Sequence, residues 1–298
     1  MSEPIDVDGL IASLAEHDYL ADRGLATVVG LALALDRPLL LEGEAGVGKT
    51  ELAKVLAEVT GGRLIRLQCY EGIDVAHALY DWDYSRQMLY IRTLEAGGAR
   101  DPHETLHEVF GREFLLRRPL LDAVEHDDPV PPVLLIDEID RADDEFEAFL
   151  LELLADFQVT IPEVGTIAAR VPPRVVLTSN RTRELHDALR RRCLYHWIDH
   201  PDRSREAAIL RARVPAAGAE LAAQVAAFVA QVRTLDLIKL PGVAETVDWT
   251  EALVVLGGTG LEAAATDASI GSLVKHPEDL EAVRAAGVER LVAAARGR

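Results

Sequence analysis

The stretch that most limits what this chain can fold into is Leu39-Leu40-Leu41-Glu42-Gly43-Glu44-Ala45-Gly46-Val47-Gly48-Lys49-Thr50. The three leucines read as a short buried strand. Gly43, Gly48, Lys49 and Thr50 fit the pattern G-x-x-x-x-G-K-[ST]. Leu52, Val55, Leu56 and Val59 then recur at the spacing of one helix face. Strand, glycine loop and helix in this order make an anion cradle. Glycines let main-chain N–H groups close around a phosphate without Cβ clashes, and the helix start adds free N–H groups and a positive dipole end. Lys49 is placed to reach the β- and γ-phosphates, and the Thr50 hydroxyl to hold Mg²⁺. Without its flanks the same loop would be a glycine turn before an ordinary helix.

The 298 residues suffice for one large domain and a smaller one, and a 49% hydrophobic content supports a core and excludes a disordered chain. A net charge of −19 argues against a duplex-binding face. Cys69 and Cys193 are far apart, which suits a reducing cytoplasm better than a disulfide scaffold. Met1–Leu10 is acidic and shows no signal peptide. No run approaches eighteen apolar residues, so no membrane span is expected.

Leu25, Val28, Val29, Ala32 and Leu35 have helical spacing after a candidate N-cap at Asp22. Arg37-Pro38 ends that helix ahead of the phosphate-loop strand. Gly61-Gly62 closes the next helix, and Leu64–Gln68 alternates as a second strand. Residues 69–128 are the least legible. Their crowded aromatics (Tyr70, Tyr80, Trp82, Tyr84, Tyr90) fit either a docking surface or an insertion with its own small core. His77, His103, His107 and His126 lack metal-cage spacing. Val133–Ile136 reads as a strand buried on both faces of a parallel sheet and ends in Asp137-Glu138. Asp143 and Asp144 then start a helix with the stripe Phe146, Phe149, Leu150, Leu153, Leu154. Residues 157–171 look like a hairpin around Gly165. Val175–Leu177 is a further buried strand, closing at Asn180, and Leu194–Ile198 is a fifth. From Pro201 the chain turns alanine-rich and helical. The expected division is 1–200, a nucleotide-binding α/β domain, and 201–298, a helical lid.

A strand ending in Asp-Glu is the natural companion of a phosphate loop. Asp137 would hold Mg²⁺ through its water shell, and Glu138 would polarise the attacking water as general base. Asn180 offers an amide to that water or to a γ-phosphate oxygen, or else caps a turn. The run Arg190-Arg191-Arg192 offers a planar fork for transition-state charge, or else a solvated basic face.

Together these residues resemble the AAA+ ATPases, and more narrowly the MoxR family. Gly43–Thr50 is similar to Walker A, Leu134–Glu138 to Walker B, and Asn180 to sensor 1. Residues 187–193 stand where the family carries its arginine finger, with Arg192 favoured by register and Arg191 next. Asp137–Ala142 is similar to the family signature, with Asp140 in place of the usual Asn. Residues 69–95 and 157–171 resemble the family's two insertions. Glu71–Asp74, Tyr80–Trp82, Glu147–Leu154 and Thr246–Trp249 look most like the CoxD-type branch. Val247–Thr250 stands where the lid usually carries a sensor 2 arginine, and Lys239 is the nearest upstream cation. The resemblance implies a five-stranded parallel sheet in the order 5-1-4-3-2 and a small helical lid. It also implies a ring, usually a hexamer, with ATP and Mg²⁺ between subunits. The implied nucleotide contacts are Gly43, Glu44, Ala45, Gly46, Val47, Gly48, Lys49, Thr50 and Glu51. Thr50 and Asp137 serve the metal, and Glu138, Asn180 and Arg192 or Arg191 serve catalysis. Such proteins resemble chaperone-like ATPases that act with a partner carrying a von Willebrand factor A domain on a client, often a metalloenzyme. The branch points to molybdenum-containing carbon monoxide dehydrogenase.

Overall fold

The apolar runs predicted as strands come together in one sheet. In the computed structural model, residues 5–97 and 108–297 are described. The strands are β1 (Leu39–Gly43), β2 (Leu64–Gln68), β3 (Tyr80–Trp82), β4 (Leu115–Arg117), β5 (Val133–Asp137), β6 (Gln158–Ile161), β7 (Gly165–Ala168), β8 (Arg174–Ser179) and β9 (Leu194–Ile198). Five of them form a sheet in the order β2-β5-β8-β1-β9. Numbered within that sheet alone and read from the β9 edge, this is 5-1-4-3-2. The pairs β2–β5, β5–β8 and β8–β1 are parallel. β1 and β5 are buried at every position, as the unbroken leucine and Val-Leu-Leu-Ile runs require of strands covered on both faces.

The chain packs into two compact units. The first is built from Thr27–Glu42 and Ala53–His196, the second from Asp6–Ala26, Gly43–Leu52 and Trp197–Arg298. The second therefore contains not only the helical segment expected after residue 200 but also the phosphate loop and an N-terminal stretch.

In the first unit the core runs through β2, β5 and β8 to the helix Asp144–Asp156, which buries Phe146, Leu150, Leu153 and Leu154. The Asp143 carboxylate caps that helix at the Phe146 N–H. β6 and β7 form the predicted antiparallel hairpin, with Val159, Ile161 and Ile167 inside. The aromatic stretch has no core of its own: Trp82 and Phe114 are buried in the main core of the first unit, with Tyr80, Tyr90 and Phe110 packed against it. β3 and β4 pair antiparallel, the Trp82 ring stands edge-on to Phe110 at 5.2 Å, and Tyr90 leans on Phe114 at 5.4 Å. Tyr70 and Tyr84 remain exposed. His77 pairs with Asp74, and His126 Nε2 meets the Val171 carbonyl. His103 and His107 lie outside the described residues.

The second unit has its own helical core. The helices Gly218–Val232 and Val243–Val255 pack Phe228 against a fully buried Trp249. Arg233 makes a two-pronged contact with Glu206 at 2.7 and 2.8 Å, both side chains being nearly inaccessible. Among the described residues no helix is long and apolar enough to cross a membrane.

Candidate functional site

The site residues named from the sequence fall in both compact units, and each group has its own local construction. The phosphate loop leaves β1 at Gly43, where any side chain would collide with the Ile198 carbonyl oxygen, 2.3 Å from the position of a Cβ. Gly46 has φ +79°, and a Cβ there would press on the Gly242 Cα and the Glu245 carboxylate. Lys49 is buried, and its Nζ donates to the Gly43 and Glu44 carbonyls at 2.7 Å each. The loop thus bends its lysine back over its own main chain, and the helix Lys49–Thr60 starts at that same residue. Thr50 and Glu51 occupy the first turn, and Glu51 pairs with Arg213 at 2.7 Å.

Two further segments of the second unit frame this loop. Tyr19 lies beside Gly48, and its phenol is pushed up chiefly by burial. Arg205 ties the stretch behind it, donating to the Leu20 carbonyl and pairing with Asp22. On the helical side, Ala244 N–H donates to the Gly46 carbonyl at 3.2 Å, and Glu245 caps its own helix at the Gly242 N–H. The place expected for sensor 2 carries no arginine. Trp249 and Thr250 are core residues, while Lys239 sits 3.9 Å from Glu245.

In the first unit, Asp137 ends β5 with 2% exposure. Thr178 Oγ1 donates to its Oδ1 at 2.5 Å, and Arg66 from β2 donates twice to its Oδ2, at 2.6 and 3.1 Å. Glu138 leaves the strand in the left-handed region (φ +55°), a conformation costing roughly 1–2 kcal/mol outside glycine. Its N–H is held by the same Thr178 hydroxyl at 2.9 Å, and its carboxylate accepts from Arg141 at 3.1 Å. One threonine therefore orients both acidic residues.

The turn after β8 carries Asn180, whose side chain has no hydrogen-bond partner among the described residues. The turn is tied on both sides. Asp140 accepts from the Thr182 N–H and hydroxyl at 2.9 and 2.7 Å, and its other oxygen has no partner among the described residues. Arg183 pairs with the buried Glu147, which also accepts the His186 N–H. The acid that replaces the expected Asn at 140 thus serves as a brace between two loops.

The three arginines of the helix Asp187–Arg192 go three ways. Arg190 lies over the Tyr195 ring, 5.7 Å from its centroid, and 3.8 Å from Glu42. Arg191 is exposed, and among the described residues its guanidinium pairs with Asp187 alone, at 3.9 Å. Arg192 donates to the Leu154 carbonyl at 2.8 Å and to that of Ala155. It thereby satisfies the orphan carbonyls at the end of the helix Asp144–Asp156. Of the two arginines expected from the sequence, Arg192 is thus engaged within its own chain and Arg191 has an exposed guanidinium.

Among the described residues no group of three or more His, Cys, Asp or Glu side chains forms a metal cage. The donors nominated for a metal, a hydroxyl at Thr50 and a carboxylate at Asp137, suit Mg²⁺, which keeps several waters and takes few protein oxygens. Asp137 accepts from Thr178 and Arg66, which fixes the direction of its carboxylate. Reasoning from the sequence missed Glu42, Arg66, Thr178 and Glu147, all polar residues set inside or beside apolar runs.

Known proteins bear on this arrangement in three ways. A 51-residue stretch is 41% identical to midasin of Giardia intestinalis, covering 17% of this chain and 1% of midasin, so the chain matches only a small part of that relative. A proline-to-glycine variant of RuvB from Thermotoga maritima aligns over 94% of this chain and 76% of its own, with a TM-score of 0.51 at 15% identity. A second RuvB structure from that organism, described as a Holliday junction branch migration motor, aligns over 93% and 74%, with a TM-score of 0.47 at 16% identity. At such identity the first RuvB likeness speaks for the fold alone. Residues 38–193, just over half of the chain, match the AAA domain of the dynein-related subfamily, from the first strand to the end of the arginine helix. With its five-stranded parallel sheet and its glycine loop, the chain belongs to that AAA domain family.

Proposed function

We propose that the protein binds ATP with Mg²⁺ and hydrolyses it, as a ring-forming AAA+ ATPase working in the cytoplasm. The observation that carries this reading is the phosphate loop, with a buried Lys49 ammonium held at its centre by the Gly43 and Glu44 carbonyls. Phosphate oxygens are better acceptors for that ammonium than neutral carbonyls, so an incoming anion has a preset cation to meet. Phosphoryl transfer needs positioning and charge neutralisation more than covalent chemistry. Thr50 and Asp137 would hold Mg²⁺, which neutralises charge on the β- and γ-oxygens. Glu138 would accept the proton of the attacking water, its strained turn and the Thr178 hydroxyl fixing where its carboxylate starts. Asn180, with an uncommitted amide, would orient that water or the γ-phosphate. For the finger acting on a neighbour's nucleotide we favour Arg191, because its guanidinium is exposed, and assign Arg192 to holding the helix Asp144–Asp156.

The resemblance to MoxR-type proteins supports a finer reading: remodelling or maturation of a client enzyme, of the carbon monoxide dehydrogenase kind, with a von Willebrand factor A partner. A division of labour between residues 1–200 and a lid at 201–298 belongs to the same proposal. A nucleotide-dependent binding module with slow hydrolysis is the second reading, favoured by a helical unit in which a buried Trp249 stands where a sensor arginine is expected. A motor on nucleic acid is opposed by the charge of −19.

The test is Glu138→Gln. Phosphate release should fall by about 100-fold or more while Mg²⁺-dependent ATP binding persists. Wild-type turnover in that variant would remove Glu138 as the base, and absence of ATP binding by the wild-type protein would remove the whole reading. The trapped variant with ATP, used as bait, should retain a von Willebrand-type partner and one dominant client.

A further inference from the structure

We infer that Glu42 is a positioning residue: its buried carboxylate ties the Asn180 turn and Arg190 to the residue that precedes the phosphate loop. This rests on the ATPase reading above and assigns a role to a side chain outside the motif. Glu42 has 2% exposure, which is costly for a carboxylate unless it is partnered. Its partners come from three places. The Tyr195 hydroxyl on β9 donates to Oε2 at 3.0 Å, and the Ser179 hydroxyl at the end of β8 reaches Oε1 at 3.4 Å. Arg181 and Arg190 stand 3.7 and 3.8 Å from Oε2.

These contacts bracket Asn180. Ser179 before it meets Glu42 through its hydroxyl, and that hydroxyl also accepts the Arg181 N–H at 3.1 Å. Arg181 after it meets Glu42 through its guanidinium, and its backbone is left-handed (φ +56°). A non-glycine residue persists in that conformation only where its surroundings hold it. The next residue in the chain after Glu42 is Gly43, which supplies a carbonyl to Lys49. The same carboxylate faces Arg190, whose guanidinium also lies over the Tyr195 ring. Burial, reinforced by the bond to Glu42, pushes the Tyr195 phenol up, so its proton stays in place to donate. A packing role alone would not account for two half-exposed arginines brought to within 4 Å of one buried charge.

Glu42→Gln keeps the shape and removes the charge. We expect kcat for ATP to fall by about tenfold with KM within about threefold, as for other groups that orient catalytic residues. Glu42→Asp should recover part of the loss. Hydrogen exchange of the amides at 180–182 should quicken by about tenfold in Glu42→Gln, with those of 134–137 unchanged. That second measurement does not depend on turnover. Unchanged exchange at 180–182 overturns the inference even if ATP is hydrolysed. A wild-type protein that turns over no ATP, yet shows the exchange effect, would overturn the ATPase reading and leave the tether standing. A loss of ATP binding in Glu42→Gln as complete as in Lys49→Ala would overturn the inference about Glu42, because Glu42 would then serve the loop and not the turn.

Discussion

Two strand ends in the first unit carry a buried carboxylate, and they are built differently. Asp137 at the end of β5 and Glu42 near the end of β1 each have 2% exposure, and each meets hydroxyl and arginine partners. At Asp137 the contacts are short: 2.5 Å from Thr178 and 2.6 Å from Arg66. At Glu42 the shortest contact among the described residues is the Tyr195 hydroxyl at 3.0 Å, and both arginines stand near 4 Å. Coulomb attraction falls only slowly over that difference, but hydrogen-bond energy falls steeply. Asp137 is therefore fixed in direction, whereas Glu42 holds its arginines by charge and leaves them room to shift. Similar residue types give a rigid post in one place and a compliant tether in the other.

This contrast can be broken experimentally. The largest effect is expected from Asp137→Asn. Its shape survives but its charge does not, so the gain in ATP affinity conferred by Mg²⁺ should shrink by about 100-fold in a titration with fluorescent nucleotide. An undiminished gain would show that Asp137 does not serve a metal. Next comes Thr178→Val, which strips a donor from Asp137 and an acceptor from the Glu138 N–H. Unfolding in urea should reveal a loss of about 1–3 kcal/mol, and turnover should drop by about tenfold. Ser179→Ala, the counterpart at the weaker 3.4 Å contact with Glu42, should cost less than half as much stability; equal losses would erase the distinction drawn between the two ends.

The smallest effect concerns the neighbouring thiol. Burial, and after it the Asp137 charge, pushes Cys69 up to about 12, and burial takes Cys193 to about 12 as well. Both thiols should resist iodoacetamide at pH 8 in the folded protein. Asp137→Asn should quicken alkylation at Cys69 alone, by no more than a few-fold, as read by mass spectrometry. The sign for stability follows from linkage. Well below pH 9 both thiols are neutral, folded or unfolded. As pH rises from 9 towards 12 only the unfolded chain ionises, so stability should decline across that window and be unaffected by these groups below it.

Much of this was legible along the chain. β1, β5 and β8 are runs of contiguous apolar residues, and a strand buried on both faces has no other way to look. The glycine loop announced itself because Gly43 and Gly46 sit where a Cβ has no space. The caps at Asp22 and Asp143 were readable because a capping side chain acts within three residues of its own position. The partners of the acids were not readable. Arg66 reaches Asp137 across 71 residues, Tyr195 reaches Glu42 across 153, and no local pattern records such pairs. The arginine run shows the boundary most clearly. Three identical residues in succession are one motif in sequence, and helical rotation of about 100° per residue sends them to a ring and a carboxylate, to solvent, and to the carbonyls of another helix.

What the sequence determined by itself was everything governed by short range: where strands and helices form, where glycine is obligatory, and which residue types can meet a phosphate. What only the tertiary structure decided was which charges are already spent. Whether an arginine is free to act, or an acid is held still, depends on the groups that folding brings within about 3 Å of it, and a hydrogen bond has no reach beyond that.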